Sequence, residues 1–398
     1  ELVVSAAELT LHAHRNLNAS RSELTVAVDQ LVRAHSQHDM ELLAEDSLVL
    51  QSADRVVVTS ASSLLQSEAG TVVLADTLNM TAATSIDMAT KNLNARATTM
   101  GIAVGSADVA VSGSLVVSTD SLTTTAASAT LNIAAVDLAS TTIEVRSHNM
   151  SVSGSNFEMA QSGAATASVD GAFSLTAGSV SMESVSSWSL AAATMQISAN
   201  SVQTTVSGTM QVNSDHAELQ SGTLKAQTTS HAEIDFAQLT ANVGTSAAVT
   251  IGDELSVRST HTNLESASLT VTAAAGAVFS DDLTVHAANT LNMTSSVAML
   301  QSVNTSVAVA DAYSLAATSG RFDLSAAFEL HAGDRIVFST DQQATITSGQ
   351  GMSIGAQALG VTANQMHTTV SGNAVLEADT MTIATSTSYG LSSSGDLD

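Results

Sequence analysis

A short word of alternating apolar and polar residues repeats from one end of this chain to the other. Glu8-Leu9-Thr10-Leu11-His12-Ala13 returns in cadence as Glu23-Leu24-Thr25-Val26-Ala27-Val28 and as Asp282-Leu283-Thr284-Val285-His286. Thr77-Leu78-Asn79-Met80-Thr81 and Thr290-Leu291-Asn292-Met293-Thr294 are identical words far apart in the chain. Apolar residues at i, i+2 and often i+4 describe a strand with one buried face. Ser, Asn, Asp and Gly follow, residues that accept turn geometry. A strand of this length buries nothing alone, so neighbouring units must stack and cover one another. The expectation is an all-β chain, one continuous β-solenoid over 1–398, built from strand-turn units of about seven or eight residues. The offset from Glu8 to Glu23 suggests two units per coil, whereas a period near twenty-two means three; an intertwined trimer of chains is a further possibility.

Composition supports the stacked strand. The 398 residues contain no proline, where average usage of about 5% predicts roughly twenty. Proline lacks the N–H that a sheet ladder needs, so its absence means that few residues lie in ordinary loops. Aromatics are only 3% of the chain. None occurs in 1–156 and all fall in 157–398, beginning at Phe157. The interior must therefore be filled by aliphatic residues, methionine and alanine, which suits a narrow core in 1–156 and a bulkier one in 157–398. A coiled coil would also repeat near seven, but its apolar pairs are spaced by three and four, and its flanks need more charge than the 12% present here. The more charged stretch from Ala27 to Leu50 has room for a short helix.

Words such as Glu8-Leu9-Thr10-Leu11-His12-Ala13 and Phe328-Glu329-Leu330-His331-Ala332-Gly333-Asp334 resemble the repeats of bacterial β-helical spikes and fibres. Examples are the needle extensions of type VI secretion spike proteins and the β-solenoids of filamentous haemagglutinin-like adhesins. The resemblance lies in cadence and covers most of the chain. It implies a solenoid fold and the role of a rigid rod in an extracellular or cell-surface fibre, filament or appendage, extended by end-to-end stacking on itself or on flanking repeats. It equally fits an adhesin stalk or a secretion-spike needle that carries a separate functional tip. With only 22 glycines, the sequence departs from patterns that place a Gly-Gly turn in every unit.

Chemistry leaves few traces. There is no cysteine, hence no disulfide and no thiolate ligand or nucleophile. The formal net charge of −26 repels nucleic acid and anionic membranes. No apolar run reaches the roughly eighteen residues of a membrane span. No catalytic residue and no cofactor-binding residue is assigned, because neither a Gly-x-Ser-x-Gly elbow nor a phosphate-binding Gly-rich loop occurs. A carboxylate pair for glycan hydrolysis is the one catalytic alternative. The nearest approach to a metal-ligand set is His12, His14, His35 and His38, followed by Asp39, Glu41, Glu45 and Asp46. Acidic residues elsewhere are too dispersed for a calcium cage. The Asn-x-Ser/Thr sequons are as many as chance predicts in a chain so rich in Ser and Thr.

Overall fold

The computed structural model describes residues 2–13, 17–37, 39–68 and 70–394. Strand makes up 91% of it, in parallel pairing that winds a β-solenoid of about 17 turns. The described residues from Ala27 to Leu50 are strand, within Leu17–Ser36 and Asp39–Ser52, apart from a bend at Gln37, and none is helical. Two compact units are distinguished, Glu1–Ala199 and Asn200–Asp398.

In the second unit the grammar of a coil is plainest at Ala327–Ala332, Arg335–Thr340 and Gln343–Ser348, three six-residue strands. Each buries its second, fourth and sixth residues: Phe328, Leu330 and Ala332, then Ile336, Phe338 and Thr340, then Ala344, Ile346 and Ser348. Two bend residues separate successive strands, and the fourth strand lands on the first, Ala327 against Gly351. Three strands therefore close one coil. Residues paired between adjacent coils lie 21 to 24 apart, so the reading of two strands per coil is excluded. The pairing runs within one chain, which needs no intertwined partners to close its coils.

Main-chain hydrogen bonds follow a rule tied to side-chain direction. Buried residues donate forward to the next coil, as in Thr71 N–H to Asn92 O, Met210 N–H to His231 O and Met352 N–H to Asn373 O. Outward residues donate back, as in Thr98 to Asp76 O, Asp253 to Ser230 O and Asp341 to Ala317 O. Alternation thus does two things at once: it sorts side chains by face, and it divides each strand's donors between its two neighbours.

The core of the first unit is mostly aliphatic, with Met40, Leu48, Ile86, Ile133 and Leu175 fully buried, and it also buries Trp188. In the second unit, aromatic rings stack between coils. Tyr313 lies 5.6 Å from Phe338, and Phe322 lies 6.4 Å from Phe338 and 6.5 Å from Phe328. Burial pushes the Tyr313 phenol well above its ordinary pKa, since its charged form would have to sit in the core.

Bends are formed without any residue in the left-handed region, glycine included, among the described residues. Glycine serves close approach instead. A Cβ on Gly333 would lie 1.9 Å from the Ala310 carbonyl oxygen of the coil beneath, which no side chain tolerates. This is why so few glycines suffice.

Ile336 is completely buried at the second position of its strand, between Tyr313 and Leu359 of the adjacent coils. Ile336→Ala is expected to cost about 2–5 kcal/mol, measured as a fall in the denaturant midpoint with strand content retained.

Candidate functional site: bend hydroxyls, outer ladders and two grooves

The polar residues inside the solenoid are nearly all Ser and Thr, and they stand where strands bend. Ser52, Ser184, Thr228, Thr340 and Ser348 are buried and each immediately precedes a bend. In all of these but Thr340, whose hydroxyl is unbonded, the hydroxyl turns onto main-chain carbonyls that the bend would otherwise strand. Ser184 Oγ reaches Ser187 O at 3.1 Å and Gly163 O of the preceding coil at 3.0 Å. Ser302 reaches Asn304 O at 2.7 Å and Asp281 O at 3.1 Å, and Ser348 reaches Gly351 O at 2.7 Å and Ala326 O at 2.9 Å. A short hydroxyl is required because it must stay within one bond of its own backbone. One hydrogen shared between the bend and the coil beneath ties local geometry to stacking.

Gln161 departs from this scheme. It holds a bend position, paired across coils with Ser184, yet it is buried with neither end of its amide hydrogen-bonded. A buried, unmet amide is destabilising.

On the outer face of the second unit, side chains link coil to coil. Gln211 donates to Glu233 at 3.2 Å, and Arg258 lies 3.4 Å from the same carboxylate. His261 Nδ1 sits 2.9 Å from Asp282, whose other oxygen accepts from Asn304 at 2.9 Å. His216 meets Gln238 at 2.8 Å. In the first unit Thr98 donates to Asp76 at 2.9 Å and Ser62 to Asp39 at 2.5 Å. These contacts are exposed and contribute a few tenths of a kcal/mol each, on the order of surface pairs generally. Their effect is on register more than on stability.

Each unit also has a shallow outer groove. In the first, about 690 Å³ is bounded by Gln66, Glu68, Lys91, Asn132 and Ser155 over a floor that includes Ala89, Ala110 and Gly154. In the second, about 490 Å³ is bounded by His286, His331, Gln357, Glu377 and Asp379 around Ala308, Gly333 and Gly355. Both follow the bend between the first and second strands of successive coils, where outward residues on either side of one buried position converge. Small residues line the floor for that reason.

Two of the four histidines singled out from sequence, His12 and His35, fall among the described residues. His14 and His38 lie outside the described residues, and of His12 only the backbone is described. The backbone of His12 pairs with His35 in the next coil, and His35 pairs in turn with Thr59. Within the set of four read from sequence, the ladder sets the backbone of His12 against that of His35. Their separation, one coil length, was the available signal. Among the described residues no group of three or more His, Asp or Glu is placed to hold a metal ion. Of the acidic residues named with these histidines, Asp39 accepts the bond from Ser62, and the side chains of Glu45 and Asp46 lie outside the described set.

Among the described residues, no helix is long and apolar enough to cross a membrane. Comparison with protein-family models, with curated proteins and with solved structures finds no match.

Two substitutions test the bend chemistry. Gln161→Met removes the unmet amide at similar volume and is expected to stabilise the chain by about 1–3 kcal/mol, seen as a higher denaturation midpoint. Ser302→Ala breaks the shared hydroxyl and is expected to cost about 1 kcal/mol in the same assay.

Proposed function

We propose that this chain is a structural repeat protein, a stiff element of an extracellular fibre, surface filament or appendage whose coils join end to end. The observation that carries this reading is the unbroken succession of coils. Among the described residues nearly every one is spent on the ladder, and the longest departures from strand are bends of two or three residues. Stiffness follows from the direction of the main-chain bonds, which run from coil to coil, so that bending the stack stretches many of them together. An acidic outer surface keeps such strands from associating side by side. No catalytic step enters this reading.

A stalk or needle bearing a separate tip is the second reading. It is favoured by the cadence shared with β-helical spikes, most legibly at Phe328–Asp334. The two readings differ in what adjoins the coils: more of the same in a fibre, a domain of different composition in a stalk.

Fibre diffraction and electron microscopy on the native material test the structural role. Filaments with a reflection along their axis at about 4.8 Å, the spacing between coils, are expected. Discrete particles without that axial reflection would exclude the fibre.

A further inference from the structure

The third strands of successive coils form one outer face of the second unit, and two neighbouring coils interrupt its polar surface. The bend serines fix the columns there. Ser259, Ser280 and Ser302 each bond the carbonyl two residues on, at His261, Asp282 and Asn304, so they hold one position in successive coils. One residue back from each lies an outward column of Arg258, Phe279 and Gln301, continued by Asp323 in the next coil. Three residues back from Ser280 and Ser302 stand Ala277 and Met299, continued by Arg321. Five back stand Ala275 and Val297, continued by Ser319. Val278 and Leu300 pack against the core, which turns their neighbours Phe279 and Met299 outward.

Gln301 apart, every outward residue of 275–280 and 297–302 is therefore apolar. Val297 is 50% exposed, and Phe279 and Met299 are half-buried. The other phenylalanines of this unit, Phe236, Phe322, Phe328 and Phe338, are buried. Acidic groups that bar lateral contact elsewhere are missing from this island, and charges of both signs stand at its edges. Glu254 and Arg258 flank it on one side, Arg321 and Asp323 on the other.

The geometry points to this island as a lateral contact with a second copy of the chain, its coils running in the opposite direction. The two-fold axis lies along the strands, between 275–280 and 297–302, and returns each column onto itself with the coil order reversed. It sets Ala275 opposite Val297 and Ala277 opposite Met299, small against large both times, and Phe279 opposite Gln301. One coil further out it sets Arg258 opposite Asp323, at both ends of the contact. Within one chain Arg258 already touches Glu233, and Arg321 touches Asp323. Pairing joins them into a row of alternating sign across the two copies, a network rather than an isolated surface pair. A parallel pair would instead set Arg321 against Arg321 and Met299 against Met299. Charge complementarity thus selects a second copy, and selects its direction. Four coils at about 4.8 Å and a strand of about 20 Å give roughly 400 Å² from each copy, at the small end of specific interfaces. The contact is accordingly reversible, and it goes beyond the structural role proposed above, which concerns coil ends.

The 398-residue chain is expected to self-associate reversibly in sedimentation. Met299→Glu, an outward change that leaves the core intact, is expected to weaken that association at least about tenfold, with an unchanged circular dichroism spectrum. Because the chain has no cysteine, Thr345→Cys can carry the sole nitroxide label. Antiparallel pairing places the two labels five coils apart, about 25 Å, whereas parallel pairing leaves them about 10 Å apart, the spacing of packed sheets. A distance peak near 25 Å is expected in pulsed electron resonance. No association up to about 1 mM, a Met299→Glu variant that associates as tightly as the parent, or a distribution without that peak would overturn the inference. So would binding to phosphatidylcholine vesicles that Met299→Glu abolishes, in the absence of self-association, since the island would then serve a lipid surface. None of these outcomes alters the axial reflection by which the structural role is tested.

Discussion

Everything in this molecule depends on the division of each strand's main-chain donors between two neighbouring coils. In a sheet the side-chain period and the hydrogen-bond period are both two. A residue that faces the core is therefore also one that bonds forward, and a residue that faces out bonds back. Proline would break one of these bonds wherever it fell, on either face. The complete absence of proline is the compositional imprint of a chain with almost no residue exempt from the ladder.

Packing inside the coils is set by small substitutions at recurring positions. In the second unit one bend column runs Ser302, Leu324, Ser348, Val370 through successive coils. The position accepts a hydroxyl that satisfies its own bend or an aliphatic group that adds to the core, and here the two alternate. A serine therefore gives up buried apolar area and gains a bond to a carbonyl that would otherwise lack one. The same trade explains how the core holds its bonded serines; Gln161, too long to turn onto its own backbone, is left unbonded, as are the hydroxyls of Thr262, Thr305, Thr340 and Thr368.

Much of this was legible in the sequence, for physical reasons that vary by feature. Alternation in words such as Phe328-Glu329-Leu330-His331-Ala332 states which residues face inward, and the strand shows that pattern residue for residue. The number of strands per coil was not legible. The interval from Glu8 to Glu23 spans two strands, but the third strand returns Glu8 to Leu31, and unit lengths vary enough to blur the period. The bend hydroxyls were read only as turn punctuation. A buried Ser302 and a half-buried Ser295 bond their bends alike, and nothing local distinguishes them. Of the histidines near the start, His12 and His35 are separated by one coil and their backbones pair, a relation that the coil length makes legible once it is known.

The donor rule has a consequence for how such a chain tolerates change in length. Removing one full coil brings together two coils whose faces already correspond, so every later residue keeps its side and its bonding direction. Removing a single strand would pass each face to the next one around the coil, and later residues would meet columns they were not matched to. Removing a single residue within a strand is worse, for it exchanges inside with outside and forward donors with backward ones at once. A lineage of such proteins is thus free to vary in whole coils and is held nearly rigid at every smaller increment. Length polymorphism is then a discrete variable, with the coil as its quantum.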